Sequence, residues 1–189
     1  MPASAACTLS TENYYCSSRN SSHTLLVTNG VVVSSADSVD IVFVLDDSTT
    51  VSSSNFELMK SLLSQLVANL DIESNNTRVG IIAFASHVRI SIRLDKYSSH
   101  AALRRAISSL KYHGGQNNTA GALKYVRTAM LTPQRGDRSD VPNVIVLLTD
   151  GTSDDPAAAQ VCRACSEVYC MLLTLYTKTR ADKPRYAFV

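Results

Sequence analysis

No stretch of this sequence is apolar for the roughly 20 residues that a membrane-spanning helix needs. Nor does one sign of charge dominate. Eighteen Lys and Arg face sixteen Asp and Glu, a net charge of +2, too little for a broad electrostatic footprint for nucleic acid or an anionic membrane. A basic segment and a clean apolar stretch do not follow Met1. The nearest approach to a secretion leader is Arg19, then residues 24–33, then Ser34-Ser35-Ala36, and Asn29-Gly30 interrupts its apolar part. The spacing Cys162-Arg-Ala-Cys165 lacks a second CxxC or a His pair, and a helical pattern runs through it, which argues against a zinc or redox site there. There is no P-loop, and no nucleophile–base pair stands out.

What is present is enough apolar material, 45% of 189 residues, for one α/β domain with a short extension. Five cysteines leave at least one unpaired within the chain. Cys7 and Cys16 closing a small loop would suit a secreted protein, and Asn-x-Ser/Thr sequons at Asn20, Asn75 and Asn117 point weakly the same way.

Residues 1–37 are rich in Ser, Thr and Asn with little periodicity and read as a leader or linker. From Asp40 the pattern changes. Residues 41–45 are continuously apolar, as in a central parallel strand buried on both faces. Ser54-Asn55-Phe56-Glu57 has the form of a capping box, and Phe56, Met59, Leu63, Leu66, Val67 and Leu70 mark one helix face. Residues 78–85 and 88–94 predict a hairpin, with Val88, Ile90, Ile92 and Leu94 alternating against polar neighbours at a sheet edge. Leu103, Ala106, Ile107 and Leu110 line a second helix, and residues 119–131 a third, with Pro133 just beyond. Residues 144–148 form another continuous apolar strand. The order βαββααβ predicts a doubly wound, mostly parallel α/β sheet with one antiparallel edge strand and helices on both faces.

In such a sheet, ligands bind at the carboxyl ends of the strands, where strand order reverses. Asp46-Asp47-Ser48-Thr49-Thr50 follows the first apolar strand and Thr149-Asp150-Gly151 the last. If those strands are parallel neighbours, Asp46 and Asp150 share one edge. The loop 115–119, opening a helix, would supply a third element. These are hard oxygen donors of the type Mg²⁺ and Ca²⁺ prefer. Asp47 reads as a solvated residue or one standing behind the ligands, and His23, His87, His100 and His113 as surface residues. Asp154-Asp155-Pro156 reads as a helix start.

These segments, in this order and spacing over about 110 residues, resemble the von Willebrand factor type A (integrin I-like) domain, with the collagen- and matrilin-like branch closest in look. The resemblance rests on residues 40–46, 79–84, Tyr97-Ser98-Ser99, Gly114-Gly115 through Val126, and 144–151. It implies a metal-ion-dependent adhesion site whose Asp-x-Ser-x-Ser element reads Asp46-x-Ser48-x-Thr50 and whose closing carboxylate is Asp150. Where the family has a Thr, this chain has Asn117, followed by Thr119. The Asn117 carbonyl, or the Thr119 hydroxyl if the loop shifts, is the expected middle ligand. The implied cation is Mg²⁺, or Ca²⁺ or Mn²⁺.

The resemblance also implies a domain over residues 38–178, a tail over 179–189, a helix at 156–168 and a strand at 169–176. The family's last strand and helix are expected to be missing. The function implied is that of an extracellular binding or adhesion module, not an enzyme. Through the cation it would take a Glu or Asp of a matrix or cell-surface protein. An intracellular scaffold without metal, or a metal-assisted hydrolase, are the other readings of the same residues.

Overall fold

The computed structural model describes residues 38–150 with their side chains and, by backbone alone, six further strands before and after them. Four of these, β1 (Ala6–Ser10), β2 (Asn13–Ser17), β3 (Thr24–Thr28) and β4 (Val31–Ser34), form an antiparallel meander within the stretch that composition marks as leader or linker. Its first pair sets Cys7 opposite Cys16.

The main sheet is built on β5 (Val39–Asp46), flanked by β6 (Thr77–Phe84) and β8 (Asn143–Thr149), both parallel to it. Beyond β6 lies β7 (Val88–Ile92), the expected antiparallel edge. Beyond β8 lies parallel β9 (Val168–Tyr176), and then β10 (Arg185–Phe188), antiparallel, within the residues read as a tail. The order is β10-β9-β8-β5-β6-β7, so the chain winds outward in both directions from β5. The expected helix at 156–168, with its start at Asp154-Asp155-Pro156, falls on residues outside those described except for Val168, which opens β9.

The continuous apolar runs have their reason in this placement. Ile41, Phe43 and Leu45 face one core with Phe56, Met59 and Leu63 of α1 (Ser52–Val67) and Leu103 and Ile107 of α2 (His100–Ser108). Val42 and Val44 face the other, with Leu123 of α3 (Thr119–Tyr125) and Val126 and Met130 of the π-helical turn (Val126–Met130) that continues it. That turn packs closely against the sheet. A Cβ on Gly80 would lie 2.3 Å from Met130 Cε.

Two local expectations are corrected. The capping box at Ser54–Glu57 does not form, because the helix starts earlier, at Ser52. There Ser52 Oγ accepts from the Asn55 N–H at 3.4 Å, and Glu57 turns to Lys60 at 2.9 Å. Lys60, buried, also donates to the carbonyls of Ser108 and Leu110 at 3.0 and 3.2 Å, which ties α1 to the end of α2. The alternation of β7 breaks as well. Ile82 pairs with Ile90 but Ile81 pairs with Ile92, a bulge. An extra residue in one strand flips the side-chain phase, so Ile92 joins the core of α1 while Val88, Ile90 and Leu94 pack toward α3.

At the end of the sheet where β5 begins, buried Asp40 meets Arg138. The guanidinium Nε and Nη2 donate to Asp40 Oδ1 at 2.9 and 2.6 Å, and the Arg138 N–H to Oδ2 at 2.9 Å. The same side chain donates to the carbonyls of Val39, Asn75 and Asn76, closing that pole.

Candidate metal centre

The opposite pole is where β5 and β8 end side by side, at the reversal of strand order. Leu45 pairs with Leu148, so Asp46 and Thr149 stand level, and Thr149 Oγ1 donates to Asp46 Oδ2 at 2.7 Å. Asp46 Oδ1 accepts the Ser48 N–H at 2.9 Å, which folds the chain back on itself. Ser48 Oγ and Thr50 Oγ1 lie 3.0 Å apart. Asp46 and Ser48 are fully buried, whereas Thr49 and Thr50 reach solvent. Burial pushes the Asp46 carboxyl above its ordinary range. Hydrogen bonds from Ser48 and Thr149 oppose that rise, and the negative charge of Asp150 adds to it. The two carboxylates therefore sense each other, as their places at neighbouring strand ends require.

A second wall comes from the loop before α3. Gly114 N donates to Asp47 O at 3.0 Å and Thr49 N to Gly115 O at 2.9 Å, a reciprocal main-chain pair. Gly115 N also donates to Thr49 Oγ1 at 2.9 Å, and Tyr112 Oη to Ser48 O at 3.1 Å. Gly115 has φ +119, and a Cβ there would come within 2.7 Å of Ser86 Oγ, so no larger residue suits the position. Asn118 caps α3 by accepting from Gly121 N at 3.0 Å. This leaves Asn117 pointing inward and buried. Its Nδ2 donates to Asp46 Oδ2 at 2.7 Å, and its Oδ1 accepts from the Thr119 hydroxyl at 2.6 Å.

Five of the expected donors are thus joined by hydrogen bonds in two groups, Asp46–Asn117–Thr119 and Ser48–Thr50, with the Ser48 N–H linking them. Asp150 lies beside Asp46. Thr119 stands behind Asn117 rather than beside it. Asp47 is not solvated. It is fully buried, and its Oδ2 accepts from Arg89 Nη2 and, at 3.0 Å, from His113 Nδ1, while Oδ1 has no hydrogen bond among the described residues. His113 is at the surface but engaged, and His100 is part-buried, with Nε2 2.9 Å from Leu70 O. Sequence reasoning missed Thr149, Tyr112, Arg89 and His113. Thr149 had a usable signal, its place directly before Asp150. Arg89 had none, since alternation only puts it on the solvent side of an edge strand.

The donor chemistry fits a hard divalent cation. Carboxylate and hydroxyl oxygens and the Asn117 amide converge, and no thiol or imidazole is among them. Among the described residues no group of three or more His, Cys, Asp and Glu gathers to hold a metal, so hydroxyls and an amide would have to complete this site. Among the described residues, buried Asp46 is satisfied only by neutral partners and has a second carboxylate nearby. That is an environment a cation would relieve. Asn117 meets the requirement only with its amide turned, since in the observed orientation the N–H faces Asp46.

Comparison with known proteins gives the family. Residues 40–180 match the von Willebrand factor type A domain. The chain is 36% identical over 123 residues to the mouse von Willebrand factor A domain-containing protein 2, and 35% identical over 124 residues to the mouse collagen alpha-4(VI) chain. Each match covers 65% of this chain but only 16% and 5% of those relatives. Among solved structures, proximal thread matrix protein 1 from the mussel byssus, with a zinc-occupied MIDAS motif, superposes with a TM-score of 0.64. It does so at 23% identity, over 71% of this chain and 37% of that one. The order of the strands, the loops that converge where β5 and β8 end, and these matches together make the chain a member of the von Willebrand factor type A domain family.

Proposed function

We propose that this domain is an extracellular binding module that holds a divalent cation at the 46–50 turn and offers it to a carboxylate of a partner protein. Ser48 and Thr50 supply hydroxyl oxygens, Asn117 its amide oxygen, and Asp46 and Asp150 carboxylates, directly or through water, with Thr119 supporting Asn117. The cation is Mg²⁺, or Ca²⁺ or Mn²⁺ in its place, and when bound it supplies an open coordination position for a Glu or Asp of the partner. The observation that carries the reading is the burial of Asp46 beside Asp150 with only neutral hydrogen-bond partners among the described residues. The relation to a collagen chain and the fold shared with a byssal matrix protein support a partner in the extracellular matrix or on a cell surface.

We infer a binding role rather than a catalytic one. Where His113 approaches these loops its partner is the Asp47 carboxylate, at 3.0 Å, and not a hydroxyl or thiol that it could activate. No described helix is long and apolar enough to cross a membrane.

Titrating Mg²⁺ by calorimetry tests the reading. Heat is expected from the wild type and none from Asp46→Ala. No heat from the wild type, or equal heat from the variant, would sink the cation claim. One observation favours the metal-free scaffold as the second reading: Asn117 Nδ2 already satisfies Asp46 at 2.7 Å. The same titration separates the two.

A further inference from the structure

Two N-glycosylation sequons fall among the described residues, Asn75-Asn76-Thr77 and Asn117-Asn118-Thr119. As triplets they are equivalent. Their surroundings are not.

Asn75 is exposed, in the turn between α1 and β6, with φ +61, a conformation Asn tolerates better than most residues. Its N–H donates to Ile72 O at 3.1 Å. Its carbonyl accepts from Arg138 Nη1 at 2.8 Å, and its Oδ1 accepts from Arg78 Nε at 3.0 Å. Every one of these bonds uses an atom other than Nδ2, the nitrogen that a glycan would take. The turn is therefore anchored through atoms that glycosylation leaves alone.

Asn117 is the reverse. Its Nδ2 donates to Asp46 Oδ2 at 2.7 Å inside a buried site. A sugar on that nitrogen has no room unless the loop opens.

We propose that Asn75 is an N-glycan acceptor and that the Asn117 sequon stays unmodified in the folded protein. In the transfer, Asn75 Nδ2 forms a bond to C1 of a lipid pyrophosphate-linked oligosaccharide. The C1–O bond breaks, the lipid pyrophosphate leaves with its electron pair, and the amide gives up one proton. This inference rests on the extracellular reading above, because the donor belongs to the secretory route.

It also orients the molecule. Asn75 lies next to the start of β6, where Thr77 pairs with Val39, while Asp46 pairs with Phe84 at the other end. Eight residues of strand separate them, about 25 Å at about 3.3 Å per residue. A glycan on Asn75 is therefore rooted at the opposite end of the sheet from the proposed cation site.

The test is expression of the full chain behind a secretion leader in a glycosylating host. Glycopeptides are then mapped on protein from both medium and cell lysate, since transfer precedes export. A glycan is expected on Asn75 and lost in Asn75→Asp, which keeps the turn residue's backbone preference. It is expected to persist in Thr77→Ser, which keeps the sequon. Asn20, outside the described residues, is read separately in the same map. An unmodified Asn75 in both fractions overturns the proposal. So does a glycan on Asn117 in material whose melting temperature still rises with Mg²⁺. A chain glycosylated at Asn75 that gives no Mg²⁺ heat supports this inference while removing the cation reading.

Discussion

Asp46 carries a burden that its neighbours only partly lift. Its folded pKa is raised, chiefly by burial, so the charged form is disfavoured in the folded state relative to the unfolded one. The penalty is full above the folded pKa and disappears below the unfolded value of about 3.9. Without divalent cation the protein should therefore gain stability as the pH falls through that window. Asp40, whose pKa burial also raises against the pull of Arg138, contributes with the same sign. Asp46→Asn isolates the contribution of Asp46. At neutral pH in chelator it should be more stable than the wild type to urea, with a weaker gain on acidification, and it should lose the stabilisation that Mg²⁺ confers. A variant less stable than wild type in chelator would contradict this account.

Asn117 offers a complementary test. Asn117→Thr removes the amide N–H that faces Asp46 and restores a hydroxyl there, so Mg²⁺ affinity by calorimetry should rise several-fold, about 1 kcal/mol or more. Much of this site was legible as residue types. Asp46, Ser48, Thr50 and Asp150 stand at strand ends, and strand ends can be read from apolar runs. The direction of the Asn117 amide was not legible, because it depends on Thr119 and Asp46 together. Nor was the burial of Asp47, which is decided by an arginine 42 positions away.

At the scale of elements, sequence pattern succeeded where one physical cause dominated. Residues 41–45 of β5 and 144–148 of β8 are apolar throughout because helices cover both faces, and α1 buries the face its periodicity marked. Phe56 is the largest anchor of that helix, fully buried and tilted against Tyr112 with ring centroids 5.9 Å apart. Phe56→Ala should cost about 3–5 kcal/mol in urea unfolding. It should also loosen the Tyr112 bond to Ser48, so Mg²⁺ affinity is expected to fall with it. Pattern failed where two elements compete for one residue. The bulge in β7 cannot be read from alternation, because pairing with β6 sets it. Glu57 fits a capping box but has Lys60 within reach, and the ion pair took it. Of the short strands β1 to β4, β3 and β4 did carry a mark, Asn29-Gly30 between two apolar runs, which is a hairpin signal as well as an interruption of a leader, whereas β1 and β2 show no clear period.

Across the whole molecule the sheet separates two tasks. One end collects donors. The other is locked by Arg138, which binds Asp40 and the carbonyls of Val39, Asn75 and Asn76 at once. Removing one partner of a buried pair leaves an uncompensated charge, so Arg138→Ala should destabilise by about 3–5 kcal/mol. Mg²⁺ affinity of the fraction that remains folded should be unchanged. A parallel loss of affinity in calorimetry would mean that the two ends are coupled. The direction of winding was legible from the order of elements, but this lock was not, since Arg138 lies in an irregular segment with no periodic signature.

The reciprocal main-chain bonds between Asp47 and Gly114 and between Thr49 and Gly115 bear on how such a domain changes its preferences. The distance between the two walls is set by peptide groups, not by the identity of the residue at 117. A threonine, an asparagine or another short polar side chain can be mounted on the same frame without refolding it. Selectivity among cations and partners can then be retuned one side chain at a time, with the frame as a fixed socket.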